Sequence, residues 1–249
     1  MSELGQDEVQ VWWIVPGSVP ADFQRQYEEL LAPDERRRIG RLVSARDRLL
    51  HLCAQAMLRA ALSAFGDLAP QEWRFERSAA GKPRLVPGQT GPDFNLTHTP
   101  GLAACALAWR SELGIDAEHD RGGQAPFDLI ASVFTGQERA RLERLAPADR
   151  AAAFFDLWTL KEAGMKALGL GLALPPQELE VACEPPRVRR LHGSGGLWRC
   201  VRLRPTAHHH LAVVVSARPG LERLTMRSCL PLVSVGERHD VALGPAGPL

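Results

Sequence analysis

The apolar positions of this chain change period from stretch to stretch, and those changes mark out its elements. Val9 to Val15 is a short apolar and aromatic run ending at Pro16-Gly17, which predicts a strand closed by a turn. From Pro33 to about Phe65 the apolar residues Ile39, Leu42, Val43, Leu49, Leu50, Leu52, Ala56 and Leu62 recur at helical spacing, interrupted by Gly40 alone. Strands are predicted at Trp73 to Glu76, Asp93 to Leu96, Leu102 to Trp109 and Leu113 to Glu118, punctuated by Gly and Pro. Helical spacing returns at Phe127 to Phe134, Gln137 to Leu145 and Ala148 to Leu168, and strands follow at Leu179 to Ala182, Leu197 to Leu203 and Leu211 to Val215. Helix followed by sheet therefore occurs twice, which points to two α/β lobes, although no residue-level repeat is visible. The expected boundaries are 1–111 for an N-terminal lobe, 112–220 for a C-terminal lobe and 221–249 for an extension. Its weak periodicity, with Gly and Pro near the end, predicts a partly irregular tail.

A chain of 249 residues is at the upper edge of what one core serves, so composition admits one large domain or two packed lobes. With 45% hydrophobic and 24% charged residues it belongs with soluble globular proteins. Lys and Arg number 30 against 29 Asp and Glu, so bulk charge attracts neither nucleic acid nor an anionic membrane, and any anion binding is local. The five cysteines include no C-x-x-C pair, which argues against a disulfide framework or a zinc site. The start, MSELGQDEVQ, lacks the basic residues and apolar run of a secretion signal, and no apolar stretch approaches bilayer length. A cytoplasmic location is expected.

In Leu113-Gly-Ile-Asp-Ala-Glu-His119 the acids Asp116 and Glu118 are two residues apart, and on a strand such residues share a face. Paired carboxylates suit a hard divalent ion, though solvated acids at a strand end would read the same way. In Phe155-Asp-Leu-Trp-Thr-Leu-Lys-Glu-Ala-Gly-Met-Lys166, residues Trp158, Glu162 and Lys166 recur at i, i+4 and i+8 on one helix face. Glu162 with Lys166 is either a surface ion pair or a third metal ligand beside a phosphate-binding cation, and spacing alone divides the two evenly. Ala80-Gly-Lys-Pro-Arg84 offers a turn with a cation, and Phe94-Asn-Leu-Thr-His-Thr99 a strand that runs into hydroxyls around a histidine. Lys82, His98, Lys166 and the three acids form an inventory for one metal-bound diphosphate, with no nucleophile of the protein's own.

Taken in this order, G-K-P, N-x-T-H-T, G-I-D-x-E and W-x-x-K-E-A-x-x-K resemble the 4'-phosphopantetheinyl transferase family of the surfactin-synthetase-activating type, from about Pro33 to Leu174. The resemblance implies an α/β (α+β) fold. Its two lobes are related by a pseudo-twofold axis, each a small antiparallel-rich sheet packed with helices, and coenzyme A lies in the cleft between them. It implies magnesium on Asp116, Glu118 and Glu162, with Glu162 and Lys166 as the catalytic pair. It places coenzyme A against Arg38, Lys82, Pro83, Thr97, His98, Lys161 and Lys166. Thr97 and Thr99 stand where the family has serines and keep the hydroxyls. Arg38, among the cations Arg36, Arg37, Arg41, Arg46 and Arg48 of the first long helix, is assigned to the 3'-phosphate, and Glu35 is an acid where relatives can carry a cation. The implied reaction moves phosphopantetheine from coenzyme A to a serine of an acyl or peptidyl carrier protein, in a monomeric enzyme of secondary metabolism.

Two other classes share parts of this inventory. A magnesium-dependent hydrolase or nucleotidyl transferase would use the same acids without a carrier protein, and a non-catalytic relative would be expected to lack an acid or Lys166, all of which are intact. His208-His-His210 reads as structural, with no nearby acid or cysteine in sequence to complete a metal site. Gly169 and Gly171 read as helix-ending glycines.

Overall fold

The structure, a computed structural model, describes residues 7–120, 125–170, 174–190, 196–232 and 234–248; Gly171 and the first six residues lie outside them. The first half runs through β1 (Glu8–Ile14), α1 (Ala21–Leu30), α2 (Pro33–Gly40), α3 (Ala45–Phe65), β2 (Phe75–Arg77), β3 (Pro83–Leu85), β4 (Asp93–Thr99) and β5 (Leu102–Ala108). The second runs through β6 (Leu113–His119), α4 (Ile130–Val133), α5 (Gly136–Glu143), α6 (Pro147–Leu168), β7 (Leu179–Cys183), β8 (Pro186–Arg190), β9 (Leu197–Thr206) and β10 (His209–Ser216). The tail adds β11 (Arg223–Leu230), β12 (Ser234–Val235), β13 (His239–Ala242) and β14 (Gly247–Pro248).

Each half repeats one plan. A leading strand is followed by a long helix, a small hairpin (β2-β3 or β7-β8) and an antiparallel pair whose second strand returns beside the leader. The sheet orders match: β1-β5-β4 in one, β6-β10-β9 in the other. The alternation of side chains along β1 sends Trp12 and Ile14 into a core with the first three helices and Val9 and Val11 into a core between the two sheets. Ile115, Ala117, Leu211 and Val213 meet Val9 and Val11 there, while Phe154, Leu160 and Ala212 fill a third core under α6. The layers are thus helix, sheet, sheet, helix, and burial of all four apolar faces holds them together.

The repeat reaches individual residues, contrary to the sequence expectation. In the first half Glu35 accepts the Ala32 N–H at 2.8 Å and binds Arg59 of α3 at 2.7 Å, and Arg59 donates to the carbonyls of Pro70 (2.7 Å) and Trp73 (3.0 Å). In the second Glu138 accepts the Thr135 N–H at 2.8 Å and binds Lys161 of α6 at 2.9 Å, and Lys161 donates to the carbonyls of Pro176 (2.9 Å) and Leu179. The receiving segments are Pro70-Gln-Glu-Trp73 and Pro176-Gln-Glu-Leu179.

Two further expectations need correction. The helix from Pro33 to Phe65 is two helices: α2 ends at Gly40, and Ser44 caps α3 by accepting the Asp47 N–H at 3.2 Å. Val43, counted on the apolar face, lies in the break and is 96% exposed. The tail is not irregular either: β11 lies parallel to β1 from Glu8↔Arg223 to Trp13↔Ser228, and β14 pairs with β9 of the other sheet. It escaped notice because β11, an interior strand, shows no clean alternation of buried and exposed positions.

Candidate active site

The site forms where β6 meets α6 and β4. Gly114, Asp116 and Glu118 face α6, as the two-residue period requires. A Cβ on Gly114 would stand 2.1 Å from the Ala163 carbonyl oxygen and 2.4 Å from the Ala167 nitrogen, so glycine is what lets the backbone of α6 rest on β6. That approach brings Lys166 over Asp116: the ammonium lies 2.6 Å from Asp116 Oδ1, and also donates to the Ile115 carbonyl (3.2 Å) and to Thr97 Oγ1 (3.3 Å). Thr97 donates to Asp116 Oδ1 at 3.3 Å and accepts the Ala117 N–H at 3.3 Å. Asp116 Oδ2 is buried with no hydrogen-bond partner.

Glu118 Oε1 accepts the indole N–H of Trp158 at 3.2 Å, and both border a cavity of about 400 Å³ walled by Pro126, Phe154 and Phe155. Glu162 is half-buried on α6. Burial, then the negative charges of Asp116 and Glu118, push its carboxyl up to about 7 against the opposing pull of Lys166. Burial likewise raises Asp116, with Lys166 the chief opposing influence. The donor set fits a hard divalent cation: Asp116 and Glu118 both raise the proton affinity of Glu162, and Asp116 has an orphaned buried oxygen. They do not stand as a finished ligand set, since among the described residues no three His, Cys, Asp or Glu side chains are already arranged to hold a metal. Lys166 occupies Asp116 instead.

Along the cleft from this corner the structure sets His98, His51 and Arg38. The His51 and His98 rings meet edge to face at 4.3 Å. Loss of hydration, then the charges of His51 and Lys166, lower His98 to about 4, so its imidazole is neutral at physiological pH. Arg38 acts on His51 as a neighbouring positive charge and lines a cavity of about 220 Å³ with Gln55, Arg59, Arg77 and Pro83. Lys82 donates to the Leu113 carbonyl at 2.8 Å, and with Pro83 lines an adjoining cavity of about 340 Å³.

Lys161 is not brought to this cleft. It is 0% exposed, tied to Glu138 and to the carbonyls before β7, and its ammonium lies 5.7 Å from the centre of the Phe134 ring. It is the second-half counterpart of Arg59, a buried anchor between helix and hairpin. Glu35 finds its explanation in the same repeat: it is Arg59's partner. His209 and His210 are structural, as expected, but acids are near in space: His210 Nδ1 donates to Asp156 at 2.7 Å and His208 lies 3.4 Å from Asp120. Sequence reasoning passed over Asn95, whose Oδ1 accepts the Ile115 N–H at 2.9 Å. The signal was present, because Asn95, Thr97 and Thr99 alternate on one buried strand face.

Two family models divide the chain between them. One described as the 4'-phosphopantetheinyl transferase superfamily matches residues 112–214, and one described as 4'-phosphopantetheinyl transferase, N-terminal, matches residues 19–109. The 4'-phosphopantetheinyl transferase HetI of Nostoc sp. is 30% identical over 215 residues, 86% of this chain and 90% of that one. The human L-aminoadipate-semialdehyde dehydrogenase-phosphopantetheinyl transferase is 29% identical over 168 residues, 62% of this chain and 53% of that one. The crystal structure of Thermotoga maritima holo-[acyl-carrier-protein] synthase overlaps 48% of this chain and 69% of its own at 18% identity and a TM-score of 0.37, too partial a likeness to bear on the argument. The chain belongs to the 4'-phosphopantetheinyl transferase superfamily. It is a transferase of phosphopantetheine, with the halves of the fold matching the two parts by which the family is described.

Proposed function

We propose that this cleft transfers the 4'-phosphopantetheine arm of coenzyme A to a serine of an acyl or peptidyl carrier protein, releasing 3',5'-ADP, with magnesium held by Asp116, Glu118 and Glu162. The observation that carries the reading is the Asp116 corner, where a buried carboxylate is pinned through one oxygen by Lys166, left without a partner at the other, and crowded by two more acids. Bound there, magnesium would neutralise charge on the diphosphate and on the transferring phosphoryl group.

The chain's own residues supply the remainder. Lys166 exchanges Asp116 for diphosphate oxygens, and neutral His98 offers an N–H to the same group. Arg38 receives the 3'-phosphate, while Lys82 and Pro83 border the nucleotide. The carrier serine attacks the β-phosphorus as the bond to the leaving 3',5'-ADP oxygen breaks, and its proton passes to Glu162 directly or through water. The apolar cavity beside Glu118 and Trp158 has the character needed for the pantetheine arm as it leaves on the serine. We read the protein as a cytoplasmic monomer: its cysteines are all buried and unpaired, no helix of the described residues is long and apolar enough to cross a membrane, and one chain completes the cleft.

The test is the intact mass of an apo carrier protein incubated with this protein, coenzyme A and magnesium. A gain of about 340 Da, one phosphopantetheine, is expected, and is expected to vanish with chelator and with Asp116→Ala. An equal gain with Asp116→Ala would remove Asp116 from the metal site.

A further inference from the structure

β6 is the edge strand of its sheet: β10 takes the backbone groups on one side, and no strand among the described residues takes those on the other. The open side consists of the N–H and C=O groups of Leu113, Ile115 and Ala117, which point to the opposite lobe. Side chains satisfy four of these six groups. Lys82 donates to the Leu113 carbonyl (2.8 Å), Asn95 accepts the Ile115 N–H (2.9 Å), Lys166 donates to the Ile115 carbonyl (3.2 Å) and Thr97 accepts the Ala117 N–H (3.3 Å). Three of the four come from the other half of the chain and stand in for a missing strand.

We propose that Asn95 is a positioning residue for the metal-binding acids: by holding the Ile115 N–H it fixes the depth and twist of β6 against β4, and so the aim of Asp116 and Glu118 into the cleft. The bond is buried at both ends, with Asn95 5% and Ile115 0% exposed. It acts on the Gly114–Ile115 peptide unit, one residue before Asp116. The side-chain contact to Asp116 on this face is made by its neighbour Thr97. An edge strand held by side chains can shift where one held by a full ladder cannot, so loss of Asn95 loosens the site as well as the fold.

The proposal rests on the metal reading above, and its test separates the two. Mn²⁺ uptake would be followed by electron paramagnetic resonance with coenzyme A present, beside kcat and thermal midpoint, for wild type, Asn95→Leu, Asn95→Asp and the core control Cys200→Ala. The leucine variant is expected to bind Mn²⁺ about tenfold more weakly and to lose kcat in proportion, as outer partners of metal ligands do. Aspartate, which keeps the acceptor, is expected to recover most of both, and Cys200→Ala to lower the midpoint without moving Mn²⁺ affinity. Should leucine prevent folding, Asn95→Ala, which leaves room for water on the Ile115 N–H, reads the same quantities. A lowered midpoint with Mn²⁺ affinity and kcat unchanged would overturn the proposal alone. A wild type that takes up no Mn²⁺ would overturn it through the reading on which it rests.

Discussion

The two halves share one frame and differ at the strand that leads each of them. β1 lies inside its sheet, between β5 and β11, and its side chains are spent on two cores. β6 lies at an edge, has a glycine where the helix crosses it, and carries two carboxylates on the helix side. The helices differ in the same direction. Counting from the paired anchors Arg59 and Lys161, Ala60 and Ala64 of α3 occupy the places of Glu162 and Lys166 on α6. Buried charge in the first half is paired, Glu35 with Arg59, whereas the second half, besides its own Glu138–Lys161 pair, gathers three acids about Lys166. The two copies of one plan have diverged: the first keeps its leading strand inside the sheet, and the second gathers acids on a leading strand left open.

The contrast between interior and edge strand is broken most severely by ending the chain at Arg218. This removes β11, exposes the flank of β1 and takes Leu224 and Leu243 out of the central core; insoluble or unfolded protein is expected by circular dichroism. A soluble, cooperatively melting fragment would show that β1 needs no neighbour there. Next in size is Gly114→Ala, which tests whether α6 must touch β6. Its Cβ would meet helix backbone, which cannot turn aside as a side chain can, so a loss of about 3 kcal/mol is expected in chemical denaturation, with transfer activity falling further than stability at a permissive temperature.

The smallest effect sharpens the electrostatic contrast. Glu162 has a folded-state proton affinity raised above its unfolded value of 4.5 to about 7, so its stabilising share is whole below pH 4.5 and is lost as pH rises to 7. Metal-free Glu162→Gln is therefore expected to melt higher than wild type at pH 8, and the difference to fade towards pH 4.5, by scanning fluorimetry. Equal melting at both ends would mean that Lys166 already balances the three acids.

Much of this was legible in the sequence because it depends on period. Asp116 with Glu118 at i, i+2 and Trp158, Glu162 and Lys166 at i, i+4 and i+8 fall on common faces whatever the rest of the fold does. Lys161 was misassigned by its place in a motif, although a neighbour of Glu162 lies about 100° round the helix and so faces elsewhere. The repeat was hidden because its markers are sparse: a glutamate, a cation more than twenty positions on and a Pro-Gln-Glu turn mean little until a fold joins them. Asn95 was legible in the polar alternation of β4 and was passed over, whereas the tail strand depends on a partner distant in sequence, which no local pattern contains.

The pairing of β1 with β11 also bears on how the chain is made. Val9 finds its partner in Leu224, near the other end of the polypeptide. At ribosomal rates of about 5–20 residues per second, the flank of β1 waits roughly 10 to 40 seconds for the strand that covers it. During that interval the nascent first half presents an open strand edge beside a nearly complete core, the kind of aggregation-prone surface that chaperones shield. The half whose leading strand is best covered when folded is thus the half most exposed while being born.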